Sequence, residues 1–131
     1  MSKSKLQMPN QAQSSKGDSK YDLEERTARF GESVIGFVQG LQKNPVNSPL
    51  ISQIVRSATS IGANYMEADG AESKKDFYHK IGICKKEAKE TMHWLRMLAT
   101  ANQKEKDSCR TLWKEAHELT LIFSSIVLRR S

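Results

Sequence analysis

Few side chains in this 131-residue sequence could do covalent or metal chemistry, and their spacing argues against it. Three histidines occur, His79, His93 and His117. His79 and His93 share a helix face but stand two heptads, or ~21 Å of helical rise, apart, so they cannot hold one metal ion. His117 belongs to a different helix, and no histidine–carboxylate pairing suited to acid–base work is visible. Two cysteines, Cys84 and Cys109, are too few for a disulfide framework and do not form a zinc pattern. Cys84 falls on the apolar stripe of its helix and reads as a buried thiol. Cys109, near a helix start, could be exposed. No catalytic residue, metal ligand or cofactor is expected.

Charge is the richer signal. The segment from Lys74 to Arg96 carries seven basic residues (Lys74, Lys75, Lys80, Lys85, Lys86, Lys89 and Arg96) against three acidic ones, Asp76, Glu87 and Glu90. Such a helix can bind phosphates, with an affinity that falls steeply in salt. It can also be an ordinary solvated face, partly neutralised by pairs such as Lys86–Glu90. The solvated reading is slightly favoured for one chain, and the two draw level in a ring that repeats the face. Arg56, Lys74, Lys75, Lys85, Lys86 and Lys89 are the candidate phosphate contacts. A second set, Ser57, Ser60, Asn64 and Glu67, follows helical spacing beside an apolar stripe. It could grip a ligand or a partner's backbone, but Ser60, Asn64 and Glu67 are better read as a hydrogen-bonded network that sets helix register.

The elements that must position these residues are helices. Only three prolines occur, the last at Pro49. A first helix is expected from Asp22 to Lys43, with Leu23, Phe30, Val34, Phe37, Val38 and Leu41 on one stripe and Asp22–Glu25 as a capping pair. Gly31, Gly36 and Gly40 weaken it by ~1 kcal/mol each and would allow close helix contact. After the break at residues 44–49, Ser48 and Pro49 suit a helix start. The second helix is expected from Pro49 to Ala68, with small inner residues that let a neighbour approach. Ser73, with Asp76 three residues on, opens a third helix. Its seam of Phe77, Ile81, Cys84, Ala88, Thr91, Leu95 and Leu98 keeps a four-three rhythm. A loop over 102–108 leads to a fourth helix with Leu112, Ala116, Leu119, Phe123, Ile126 and Arg130 in step. The pattern predicts an all-α, antiparallel, up-down-up-down four-helix bundle over residues 21–131.

Residues 1–20, polar and carrying four lysines and one aspartate, read as a disordered basic tail. The formal net charge is +6, of which the tail supplies +3. No segment suits a secretory signal or a membrane span, so a cytoplasmic protein that does not engage membranes is expected. Tyr78, Met92, Trp94, Met97, Trp113, Leu121, Ile122 and Val127 lie off the seams. That apolar excess predicts self-association.

The stretch from Arg56 to Glu67 (RSATSIGANYME) resembles an R-A-x-S-I-x-x-N-x-x-E pattern. Ser73 to Phe77 (SKKDF) and Lys86 to Leu95 (KEAKETMHWL) continue the likeness. Together they resemble the four-helix-bundle proteins encoded in intervening sequences of bacterial 23S rRNA genes. Ser57 before Ala58, Gly62, and Asp69 with Ala71 depart from that pattern. The same family includes accessory variability proteins of diversity-generating retroelements. The resemblance implies a bacterial, cytoplasmic, non-enzymatic, ring-like homopentamer whose partners are nucleic acid and a reverse transcriptase. The leading expectation is therefore a homo-oligomer that binds RNA or DNA through basic faces. Its rival is a protein–protein adaptor or scaffold, and a catalytic bundle is a distant third.

Overall fold

The computed structural model describes residues 22–130. Four α-helices follow one another: α1, Leu23–Gln39; α2, Asn47–Asp69; α3, Lys74–Ala101; and α4, Lys106–Leu128. A 3-10 helix, Gln103–Glu105, joins α3 to α4. The described residues contain no strand, and the up-down-up-down bundle expected from the heptads is what they form. The tail at 1–20 lies outside the described residues.

Helix starts follow local chemistry. Asp22 caps α1, its Oδ1 accepting the Glu25 amide at 3.3 Å. Ser73 caps α3 through the Asp76 amide at 3.0 Å. At α2 the cap is Asn44 rather than Ser48. Its Oδ1 accepts the amides of Val46 and Asn47 at 3.0 and 2.7 Å, and its carbonyl accepts the Ser48 amide. Ser48 and Pro49 therefore sit inside α2. The first helix stops at Gln39 instead of Lys43. Gly40 is a poor helix former, and the chain closes there in a tighter turn, with the Leu41 amide on the Val38 carbonyl. The loop expected over 102–108 is mostly helical, because the 3-10 turn runs directly into α4.

The core is one cluster drawn from all four helices, with Val34, Ile54, Ile61, Ile81, Leu95, Leu98, Leu119 and Phe123 at its centre. The buried apolar residues of α4, Cys109, Ala116, Leu119 and Phe123, fall on the heptads Cys109–Ala116–Phe123 and Leu112–Leu119–Ile126, so Cys109 is buried, not exposed. Of the off-seam residues, Met92, Trp94, Ile122 and Val127 pack against this core, which shrinks the apolar excess inferred from sequence. Trp113 and Leu121 do stay exposed.

α2 packs along α3, and α3 along α4, while α1 rests chiefly on α2 and touches α4 more sparsely. Close approach of α1 and α2 depends on two glycines. A Cβ on Gly62 would come within 3.2 Å of Thr27 Oγ1, and one on Gly31 would lie 3.7 Å from the Ala58 carbonyl. Gly36 faces open space and plays no such part. Across the sparse α1–α4 side, Arg26 forks onto Glu115 with contacts of 2.7 and 2.8 Å.

Buried polar groups set the register. Ser57 and Thr91 share a 2.8 Å hydrogen bond between α2 and α3. Cys84 Sγ donates to the Ile61 carbonyl at 3.5 Å. At the end of the bundle holding the α1–α2 loop, Asn47 and Asn102 pair reciprocally, each Nδ2 donating to the other's Oδ1 at 2.9 Å. Their second donors go to the Gln42 and Leu98 carbonyls, so all four amide donors are satisfied.

Candidate nucleic-acid interface

α3 presents its charge in two sectors. Its core stripe, from Ile81 to Leu98, turns inward. At 3.6 residues per turn, Lys75, Lys86, Lys89, His93 and Arg96 fall within an outward arc of about 80°. Lys74 and Lys85 flank that arc on the α4 side. The stripe from Lys75 to Arg96 is about 32 Å long at the α-helical rise. Asp76, Glu87 and Glu90 sit on the other flank, towards α2.

Two of these carboxylates, Glu87 and Glu90, are engaged there. Glu87, with a side chain only 9% exposed, meets Arg56 Nη1 at 3.3 Å. Glu90 meets Arg56 Nη2 and accepts the Trp94 indole N–H at 2.8 Å. Gln53 braces the same guanidinium from one turn away. Lys80 leaves the basic set in the same way, with Nζ 2.7 Å from Glu67 of α2, a contact that raises its pKa. The Lys86–Glu90 pair expected from sequence does not form; Lys86 instead stands 3.9 Å from Glu87 and its side chain is 69% exposed.

Two groups of sequence-selected residues separate in this way. Lys74, Lys75, Lys85 and Lys89 form no ion pair among the described residues, and neither does Arg96. Arg56 instead points across to the α3 carboxylates and is neutralised by them. Arg96 and His93, which were not among the candidate contacts, complete the outward stripe. The helical wheel alone would have included both.

The Ser60–Asn64–Glu67 edge is only partly a network. Asn64 Nδ2 donates to the Ser60 carbonyl and Oγ, both at 2.9 Å, whereas Glu67 turns to Lys80 on α3. Ser57, fully buried, supplies the link between helices. The shallow depression beside the α2–α3 turn is lined by Glu67, Glu72, Asp76 and Lys80, a surplus of carboxylates unsuited to phosphate.

The thiols and histidines offer little chemistry. Burial pushes the Cys84 thiol up to about 12 and Cys109 up to about 11, which disfavours the reactive thiolate at neutral pH. His79 and His93 are exposed and His117 is half-buried. Among the described residues no three His, Cys, Asp or Glu side chains gather as a metal-binding group. No helix among them is long and apolar enough to cross a membrane.

The family model for the 23S rRNA-intervening sequence protein matches residues 10–125. The chain belongs to this family. A solved structure, described as a protein with unknown function from the S23 ribosomal protein family of Bacteroides thetaiotaomicron, is similar to it at 30% identity and a TM-score of 0.70. That likeness covers 79% of this chain and 96% of the other. No curated protein matches the chain. The family assignment agrees with the resemblance carried by Arg56–Glu67, Ser73–Phe77 and Lys86–Leu95.

Proposed function

We propose that this chain is a non-enzymatic, homo-oligomeric bundle protein that binds nucleic acid, RNA or DNA, through the outward face of α3. The carrying observation is the charge partition. Arg56 holds Glu87 and Glu90 on the α2 flank and Lys80 holds Glu67, leaving Lys75, Lys89 and Arg96 without an ion pair among the described residues, with the exposed Lys86, 3.9 Å from Glu87, between them. A polyanion gains from such a stripe by releasing counterions. Lys74 and Lys85 extend it towards α4. Arg56 enters this reading as the residue that clears acid from the face rather than as a phosphate contact.

Assembly belongs to the same reading. Ile35, Val46 and Met66 remain 37–60% exposed on α1, α2 and their loop, supplying apolar surface for self-association. A ring, with the homopentamer as the proposed form, would repeat the α3 stripe and add the fields of its copies. A cytoplasmic setting goes with this reading. Non-catalytic character is supported by the engagement of Glu67, Glu87 and Glu90 with cations and by burial of both thiols.

Electrophoretic mobility shift with structured RNA over a salt series tests binding. The expected result is a complex at ~50 mM salt that weakens steeply towards ~200 mM. No complex at the lower salt overturns the reading. A second reading, an adaptor that docks a protein such as a reverse transcriptase, draws on the exposed Leu128 and Met66. It predicts capture of that protein after nuclease treatment.

A further inference from the structure

We infer that Trp113 of α4 is a stacking platform for an unpaired nucleobase, with Arg96 of α3 as the contact for the adjoining phosphate and Lys89 and Lys85 as contacts further along the strand. This rests on the nucleic-acid reading above and narrows its ligand to single-stranded segments. The two tryptophans of the chain are treated differently by the fold. Trp94 packs against the core and its indole N–H is held by Glu90. Trp113 does not join the core cluster and keeps 37% of its surface exposed. Its ring lies over His117 one turn away, with centroids 5.1 Å apart and planes inclined by 22°. The imidazole steadies the indole from one side, so little freedom remains to be lost when a base stacks on it.

Register brings this ring beside Arg96, at one end of the row of cations. Thr120 Oγ1, which donates to the Ala116 carbonyl at 2.8 Å, stands 3.7 Å from Met92 Sδ, and this contact marks the edge of α4 that faces α3. Trp113 precedes Thr120 by one heptad and lies on that edge. Lys85 precedes Met92 by one heptad and lies on the facing edge of α3, while Lys89 and Arg96 stand one step further out. Because the helices are antiparallel, these two heptad steps run apart: Trp113 and His117 come level with Arg96 to within about one turn, while Lys89 and Lys85 lie about 15 and 21 Å along the axis from the ring. The surface therefore combines an aromatic face with a row of cations. That combination is the recognition chemistry of single strands, whose bases are free to stack, and not of a duplex, whose bases are already stacked.

Tryptophan fluorescence of the full chain tests the inference, with Trp94→Phe isolating the Trp113 signal. The probes are a short single-stranded oligonucleotide and its duplex at ~50 mM salt. The single strand is expected to bind more tightly and to quench Trp113. Trp113→Leu is expected to cost about tenfold in single-strand affinity while leaving duplex affinity and the salt slope unchanged. Equal affinity for both probes, absence of quenching, or an unaltered Kd in Trp113→Leu overturns it. So does a change in sedimentation caused by Trp113→Leu, which would assign the ring to a protein interface. If neither probe binds, the nucleic-acid reading itself has failed, an outcome distinct from binding without stacking.

Discussion

Replacing Arg56 by methionine should damage the fold far more than the nucleic-acid contact. The change keeps the aliphatic stem but removes the guanidinium that faces Glu87 and Glu90. Breaking one side of a buried ion pair costs about 3–5 kcal/mol, because the other charge is stranded. Two features reduce that figure here. The Arg56 side chain is 48% exposed, and Lys86 remains 3.9 Å from Glu87. We therefore expect a loss of about 2–3 kcal/mol. For a domain of this size that lowers Tm by about 8–12 °C. Thermal unfolding followed by circular dichroism measures it, at one fixed protein concentration because assembly shifts Tm. Adding Glu87→Gln to Arg56→Met should recover more than half of the loss, since the more buried of the two stranded charges is then removed and Glu90 keeps 31% exposure. In mobility shifts, Arg56→Met should leave the salt slope unchanged, while Lys89→Gln should reduce it by ~0.7–0.9. A Tm within ~2 °C of the parent, or a slope that drops with Arg56→Met, would refute the assignment of Arg56 to the carboxylates.

Both thiols should be silent towards an aromatic disulfide reagent in the native protein at neutral pH and react fully in denaturant; fast native reaction at either would show that its burial is not maintained. The native state retains the Cys84 and Cys109 protons to about 12 and 11, against a reference value of 9.0. Their contribution to stability is therefore complete below pH ~9 and declines as pH rises from there towards ~12. Urea midpoints across that range should fall, and should fall less in Cys84→Ser relative to its own neutral-pH value. Phe123→Ala empties a fully buried position beside Tyr65 and should cost about 3–5 kcal/mol by urea titration. Asn102→Ala leaves the buried Asn47 Oδ1 without its donor and should cost about 1–3 kcal/mol; an unchanged urea midpoint would show that the amide pair does not clamp the bundle.

Most of the fold was legible because its information is periodic. The four-three rhythm from Phe77 to Leu98 reported the α3 seam directly, and Cys109 was readable too once the seven-residue step to Ala116 and Phe123 was followed. Local rules competed at the start of α2. Asn44–Pro45 and Ser48–Pro49 both fit a cap followed by proline, and only the Asn44 Oδ1 bonds to the Val46 and Asn47 amides show that the earlier one is used. Interhelical partners were not legible. Nothing in the spacing of Glu87 and Glu90 says that they answer Arg56 on α2 rather than Lys86 or Lys89 on their own helix. The same limit applied to Glu67, which pairs with Lys80 across the turn instead of joining Ser60 and Asn64. The basic stripe was partly legible as a run of lysines, but its separation from the carboxylates depends on the α2–α3 contact.

The central claim is that the outward α3 stripe binds a polyanion. The most direct measurement compares the salt dependence of RNA binding by the parent chain with that of a Lys75→Gln/Lys86→Gln/Lys89→Gln variant of unchanged Tm. The account predicts a parent complex at ~50 mM salt and a slope lower by about 2–3 in the variant. A parent chain that does not bind at that salt, or a variant that binds with the parent's slope, would contradict it.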